Sequence, residues 1–500
     1  MKNKLIYTIA LSLSLLLASC NDWLDVTPPS QIREEQQFST VEGFQQALMG
    51  CYIGMTNDTL YGRTLTWGTI ELMAGQFNPL EQYSANDYYI SNYNYTSSNG
   101  LKYVNGIWTR AYNTISNANN ILKYAESNKS VLDNINYSII KGEALAIRAF
   151  LHFDIMRLYG HGNLAQRRDL ISRATIPYVT NLSKELTPQQ PYSTTIANII
   201  ADLEEALQLL QIDPVTKLHD AAFYNGVNID GFFDNRQQRF NYYATSLLLA
   251  RVYLWEGSSE NIAKARTLAL KVIDETQAKG MVNWVTSSSV NNDMIMKAEH
   301  LMSLNTQNLF AKTAKYFMIE IKSVGDIQAQ YVTGANIDAI YETATVGATD
   351  FRFTNQFIQN SMVVGGRNSY TPLKFFGSVG NNPTAVSNNY IPLMRLPEAY
   401  YIAAECYLRQ SSPDLSQAIE LLNTVRAKRG VTQPLTSTTA EQVMEELVKE
   451  YRKEFYTEGQ MFFLYKRLGM ETIPNYNGTA GDQIYLMPYP SVEIQMGRQQ

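Results

Sequence analysis

Cysteine, histidine and positive charge are all in short supply in this chain of 500 residues, and each shortage excludes something. The 46 Asp and Glu outweigh the 41 Lys and Arg, leaving a formal charge of -5. There is no basic surplus of the kind nucleic-acid binding requires. The four histidines, His152, His161, His219 and His300, are never spaced i, i+3 or i+4, and none belongs to a His-Glu-x-x-His run. No metal site is therefore expected. A Gly-x-Ser-x-Gly elbow and a phosphate-binding loop are both absent. Gly160-His161-Gly162-Asn163-Leu164-Ala165 has dinucleotide-fingerprint spacing, but it follows a helical stretch (141–159) where that motif needs a strand. It reads as a loop ending a helix, and no cofactor is expected. Carboxylate pairs occur at Glu204-Glu205 and Glu445-Glu446, but sequence cannot place two acids across a substrate. Glu446, Glu450, Glu454 and Glu458 form a row interleaved with Lys449, Arg452 and Lys453. That row reads as a solvated, salt-bridged helix face. No catalytic residues are expected.

Long hydrophobic runs are missing too, apart from residues 5–17, which follow Lys2 and Lys4. That run is shorter than the roughly 20 residues a membrane-spanning helix needs. A basic start, a short apolar stretch and small residues after it describe an export signal, here 1–19. Its end, Leu17-Ala18-Ser19-Cys20, resembles the lipobox of bacterial lipoproteins, which makes Cys20 the expected lipidation site. Several acyl chains on one residue hold a protein to a membrane firmly. Removing Lys2 and Lys4 takes the charge from -5 to -7. Cys51 and Cys406 then remain, both in helical patterns, and are expected to be buried small apolar residues without a disulfide.

What the chain does have is helical periodicity and aromatics. An apolar share of 45% is ample for a core. Two helix pairs stand out: 244–255 with 261–275, and 397–409 with Leu415–Lys428. They share Ala250-Arg251-Val252-Tyr253-Leu254 and Ala404-Glu405-Cys406-Tyr407-Leu408, each followed by an alanine, Ala263 or Ala418. Ala149-Phe150-Leu151-His152-Phe153 is a third copy, with His152 in the tyrosine place. Val41–Met55 with 107–125 makes a fourth pair. Small residues that let helices approach, with an aromatic three positions on, are how tetratricopeptide-like pairs pack. The expected fold is mainly α: a superhelix of about four helix pairs with long loop-rich insertions and minor β structure.

Two insertions interrupt this spine, at 56–103 and 276–389, and insertions on rigid scaffolds often carry function. The second has β-leaning runs such as Tyr316-Phe317-Met318-Ile319-Glu320-Ile321. The first holds Tyr83, Tyr88, Tyr89, Tyr93, Tyr95 and Tyr103 among asparagines, just after Trp67. Aromatic faces stack on the C–H faces of sugars at little entropic cost, while amides and arginine bond hydroxyls. The candidate ligand-binding residues are Trp67, Tyr83, Tyr88, Tyr89, Trp284 and Arg352.

Taken together, these segments resemble the SusD/RagB family of surface lipoproteins from Bacteroidota. The resemblance rests on Cys20-Asn21-Asp22-Trp23-Leu24-Asp25, on 141–160 with its Glu143, Arg148, Asp154 and Arg157, and on 199–206. It continues through 418–430 with Asn423, Arg426 and Arg429, through Glu450 to Glu454, Glu458-Gly459, and Leu486-Met487-Pro488 near the end. The chain departs from the family where Met461 and Leu464 replace a charged pair, which reads as a structural exchange. The resemblance implies a non-catalytic protein at the outer-membrane surface that binds a glycan, or in some members a peptide. It would hand that ligand to a SusC-like TonB-dependent transporter. It also implies an N-terminal region (20–230) and a C-terminal region (231–500) forming one compact unit. A hydrolase, or a tetratricopeptide scaffold without small-ligand binding, is the alternative.

Overall fold

Nearly every helix of the spine starts on a short polar side chain, and this local chemistry sets where the spine begins each turn. A computed structural model describes residues 29–79, 87–317, 330–364, 367–379, 382–384 and 389–499. Thr40 caps α1 (Val41–Met55), Ser97 caps α2 (Ser98–Ser127) and Asp133 caps α3 (Asn134–Tyr159) by accepting backbone N–H bonds. Helix α4 (Tyr192–Leu209) follows Pro191 without a side-chain cap. Asn241 caps α5 (Tyr242–Glu256) and Ser258 caps α6 (Ser259–Ala278). Helix α7 (Leu396–Leu408) has Pro397 in its first turn, where a missing N–H costs nothing. Asp414 caps α8 (Leu415–Lys428) and Thr439 caps α9 (Ala440–Glu454). Helix α10 (Met461–Leu468) ends on Gly469 in the left-handed region.

Each helix from α1 to α9 packs on the next in line, giving the tetratricopeptide-like spine. The inner helices α3, α5 and α7 are buried almost all round. The repeated aromatic position explains the register. Tyr253 on α5 donates its hydroxyl to Glu204 on α4 at 2.9 Å, and the Tyr407 ring on α7 lies 4.9 Å from the Arg266 guanidinium on α6. His152 on α3 accepts the Val179 N–H at 2.9 Å. Of the two small residues expected to seat the second helix, Ala418 is fully buried but Ala263 is exposed. Ala265 and Ala269 are the fully buried alanines of α6. Arginines lock neighbouring helices together. Arg148 holds Asp202 through two bonds of 2.7 Å, and Arg251 holds Glu398 the same way.

The strands among the described residues are short and antiparallel. Strand β1 (Ala174–Pro177) pairs with β2 (Gln189–Pro191). The others lie in the second insertion and at its end: β3 (His300–Asn305), β4 (Val332–Thr333), β5 (Phe357–Val364), β6 (Arg367–Pro372), β7 (Gly377–Val379), β8 (Asn382–Thr384) and β9 (Tyr390–Arg395). They form the pairs β3–β9 and β7–β8 and the triplet β4–β6–β5. The β-leaning run at Tyr316 is corrected in part. Tyr316 ends a helix, Leu309–Tyr316, in which Leu309 and Thr313 are buried and which the buried Phe317 follows, and 318–321 lie outside the described residues. Cys51 and Cys406 are free and buried, and burial pushes both thiols up to about 12. Met461 and Leu464 are buried, as a structural exchange requires. The export signal and Cys20 lie outside the described residues.

Candidate ligand-binding site

The first insertion is fastened to the second by aromatic packing, and this decides which expected site residues can meet a ligand. Trp67 is corrected to a core residue. It is fully buried, with Tyr316 and Phe317 each 5.6 Å away between ring centroids and Phe375 at 6.3 Å. A large apolar ring in a loop is the piece with most area to bury, so it anchors the insertion. Arg352 is corrected likewise. It is fully buried, bonded to Asp350 at 2.6 Å, Glu450 at 2.8 Å and Glu454 at 3.0 Å. Trp284 is half-buried and its ring is already engaged. It lies 5.4 Å from Tyr400 and 5.2 Å from the Arg429 guanidinium, and its Nε1 donates to Gln277 at 3.1 Å. Tyr83 lies outside the described residues.

The row of glutamates is the largest correction. Glu450, Glu454 and Glu458 face inward and are buried, while Glu446 stays half-exposed. Glu454 takes bonds from Arg352, from Arg395 at 2.7 Å and from Arg429 at 2.7 Å. Glu450 takes Arg426 at 3.0 Å and Lys453 at 3.1 Å, and Glu458 takes Lys374 at 2.6 Å and Arg395 at 2.8 Å. Glu299 completes the layer by bonding Arg429 at 2.6 Å. Desolvation opposes ionisation of Glu450, but Arg352, Lys453 and Arg426 outweigh it and hold the carboxyl at about 2. These are acids joining α8, α9 and the second insertion, with no free acceptor facing a substrate.

Tyr88 and Tyr89 remain at the surface. Both are half-exposed, on the short helix Asp87–Ser91, their rings edge to face at 5.4 Å. Asp87, which starts that helix, organises the surroundings. It accepts the Thr69 hydroxyl at 3.0 Å and also takes the Tyr103 hydroxyl and the Arg63 guanidinium. Arg63 lies 4.2 Å from the centre of the half-exposed Tyr316 ring. Burial, and then the Asp87 charge, push the Tyr103 phenol up, so it stays a donor. Lys312 bonds Asp58 at 2.6 Å and ties the Tyr316 helix to the first insertion. The result is a set of partly exposed tyrosines, Tyr88, Tyr89, Tyr103 and Tyr316, beside a buried Arg63–Asp87 pair that fixes Tyr103 and lies against Tyr316, so the rings are the parts open to stacking. Arg63 and Tyr316 were not among the expected residues. They belong to different insertions, and no local spacing signals their meeting.

His152 and His161 are structural. His152 donates Nδ1–H to the Arg148 carbonyl at 2.9 Å, and burial holds it down at about 3. His161 bonds Asp482 at 3.0 Å. Among the described residues no group of His, Cys, Asp and Glu could hold a metal, and no helix is long and apolar enough to cross a membrane.

The helical-repeat scaffold with its long insertions places the chain among tetratricopeptide-like proteins. Residues 22–223 match a family profile described as "Starch-binding associating with outer membrane", and residues 353–500 match the profile of the SusD family. The chain belongs to the SusD/RagB family. It is 23% identical to the SusD-like protein P2 of Formosa agariphila over 96% of this chain and 95% of that one. It is 22% identical to the SusD-like protein P38 of the same organism, over 96% and 94%. Among solved structures, a SusD superfamily protein from Bacteroides thetaiotaomicron superposes with a TM-score of 0.69 at 20% identity, covering 91% of this chain and 98% of that one. A SusD-like carbohydrate binding protein from Bacteroides vulgatus gives 0.69 at 18% identity, covering 91% and 96%.

Proposed function

We propose that this protein captures an oligo- or polysaccharide at the outer surface of the outer membrane and delivers it to a SusC-like TonB-dependent transporter. It is held there by lipid on Cys20 and catalyses no reaction on its ligand. The observation that carries the reading is the partly exposed ring pair Tyr88 and Tyr89, on the short helix whose first residue, Asp87, bonds Tyr103 and an Arg63 that lies against Tyr316. It stands on a scaffold whose family profile and one of whose solved relatives are described in terms of starch and carbohydrate. The regions 20–230 and 231–500 work as one unit, since residues of both contribute to the same main core.

Calorimetry of the mature protein against a panel of polysaccharides and oligosaccharides tests this. The Tyr88→Ala/Tyr89→Ala double variant is expected to weaken the hit by about tenfold or more, because rigid aromatic anchors dominate such contacts. Its melting temperature should stay near that of the parent, since both rings are partly exposed. Parent-like affinity in the double variant would move the ligand elsewhere, and release of cleaved product would sink the non-catalytic reading.

A further inference from the structure

Away from that cluster, where α6 runs into the second insertion, lies a cleft of about 400 Å³. This is within the roughly 300–1,000 Å³ typical of small-molecule sites. Its walls are unusually rich in side-chain amides. Asn235, Gln237 and Gln238 come from the segment before α5, Asn283 and Asn292 from the start of the insertion, and Tyr390 closes one side from β9. The wall is braced. Gln237 donates to the Met281 carbonyl at 2.9 Å, Gln238 donates to the Tyr390 hydroxyl at 3.3 Å, and Lys297 sits 4.4 Å from the centre of the Tyr390 ring. Asp293 is consumed by the backbone N–H groups of Lys297 and Ala298, at 2.8 and 3.1 Å.

His300 lines the same cleft and is almost wholly buried. Its Nε2 lies 3.0 Å from the Ile295 carbonyl, so Nε2 must carry the proton. Its Nδ1 has no hydrogen-bond partner among the described residues and is therefore a bare acceptor. Burial, and then the Arg395 charge, hold the ring neutral, at about 3. Buried polar atoms in folded proteins are nearly always paired, so this covered, unpaired acceptor on a residue of the cleft wall marks a place for a donor.

We infer that this cleft is a second ligand site, for a neutral, hydroxyl-rich unit such as one sugar residue, with a ligand hydroxyl donating to His300 Nδ1. Amides both donate and accept, as vicinal hydroxyls do, and they match a neutral polyol better than an anion. The cleft continues, through the shared Asn235 and Gln238, into a shelf of about 230 Å³ beside Ile53, Phe232 and Asn305. A second unit of a chain fits there. The site takes the ligand class proposed above, yet it stands on none of the same residues.

With four histidines in the chain, selective ¹⁵N-histidine labelling of the mature protein gives few imidazole signals to follow. The probes are neutral monosaccharides and disaccharides: glucose, galactose, mannose, xylose, maltose and cellobiose. The expected result is a saturable shift of the His300 Nδ1 resonance with at least one probe. Asn283→Ala and Tyr390→Ala should each weaken that response about fivefold or more, with a disaccharide binding more tightly than its monosaccharide. The Tyr88→Ala/Tyr89→Ala variant should leave the His300 response intact, which separates the two sites. Calorimetric saturation with an unmoved His300 signal would overturn the second site while keeping the first. Silence of His300 to every probe at 100 mM would overturn it as well.

Discussion

Glu454→Ala is expected to destabilise this protein by about 3–5 kcal/mol, the usual result of removing one partner from a buried ion pair. The reason lies in the number of cations that depend on one carboxylate. Oε1 takes Arg395 and Arg429 at 2.7 Å each, and Oε2 takes Arg429 at 2.9 Å and Arg352 at 3.0 Å. All three guanidiniums are fully buried, so none can turn to water when the carboxylate goes. With Arg426, Lys374 and Lys453 the layer holds six cations, and only four acids, Asp350, Glu450, Glu458 and Glu299, then remain to balance them. Glu446→Ala is the control, two turns away on the same row. Its half-exposed carboxylate bonds the exposed Lys449 at 2.8 Å, and its loss should cost less than about 1 kcal/mol. Thermal or urea unfolding of both variants checks this, and equal losses would show that the glutamate row is uniformly solvated after all.

Acid should weaken the fold in two stages, which a melting-temperature profile between pH 8 and 2 would display. The first is partly offset by Glu71, whose buried carboxyl is pushed up to about 8 and so is favoured in its protonated form as pH falls toward 4.5. The buried imidazoles of His152 and His300 are held at about 3, below the ordinary 6.5. A depressed value means that the unfolded chain binds protons first. The stability they supply is complete above 6.5 and declines as pH falls toward 3. The carboxylates then add a steeper stage. Burial opposes the ionisation of Glu405 and Glu450, but Arg467 and Arg352 respectively lead the charges that hold each at about 2, against an ordinary 4.5. Each contributes in full above 4.5 and nothing below about 2, a difference on the order of 3 kcal/mol per group. Glu454 too is held well below the ordinary range, its burial outweighed by Arg429 and Arg395. A profile that is flat from pH 7 to 3 would contradict both stages.

Much of the spine was readable from local pattern. The expected 415–428 helix is found with those bounds, and 244–255 and 397–409 differ from α5 and α7 by one or two residues. Periodic apolar residues between capping side chains are enough for this, because helix boundaries are set within a few residues of chain. The repeated Tyr253, Tyr407 and His152 positions were legible for the same reason. The site was legible only in part. Tyr88 and Tyr89 are partly exposed, as contact with a ligand would need, but Trp67 is buried as an anchor of that insertion. An aromatic-rich stretch announces that rings will be needed, without saying which ring finds a neighbour to cover it.

Local pattern thus determined the helical class, the caps, the repeat spacing and the place of the insertions, since each depends on residues a few positions apart. Tertiary structure decided which polar groups lie inside. Glu450 and Glu454 read as surface because a lone charge is expelled from a core. They are buried because Arg352, Arg395, Arg426 and Arg429 arrive from three separate segments of the chain. The meeting of Arg63 with Tyr316, and of His300 with the amides of the cleft, has the same origin. A partner distant in sequence changes the free energy of burial, and no window along the chain contains it.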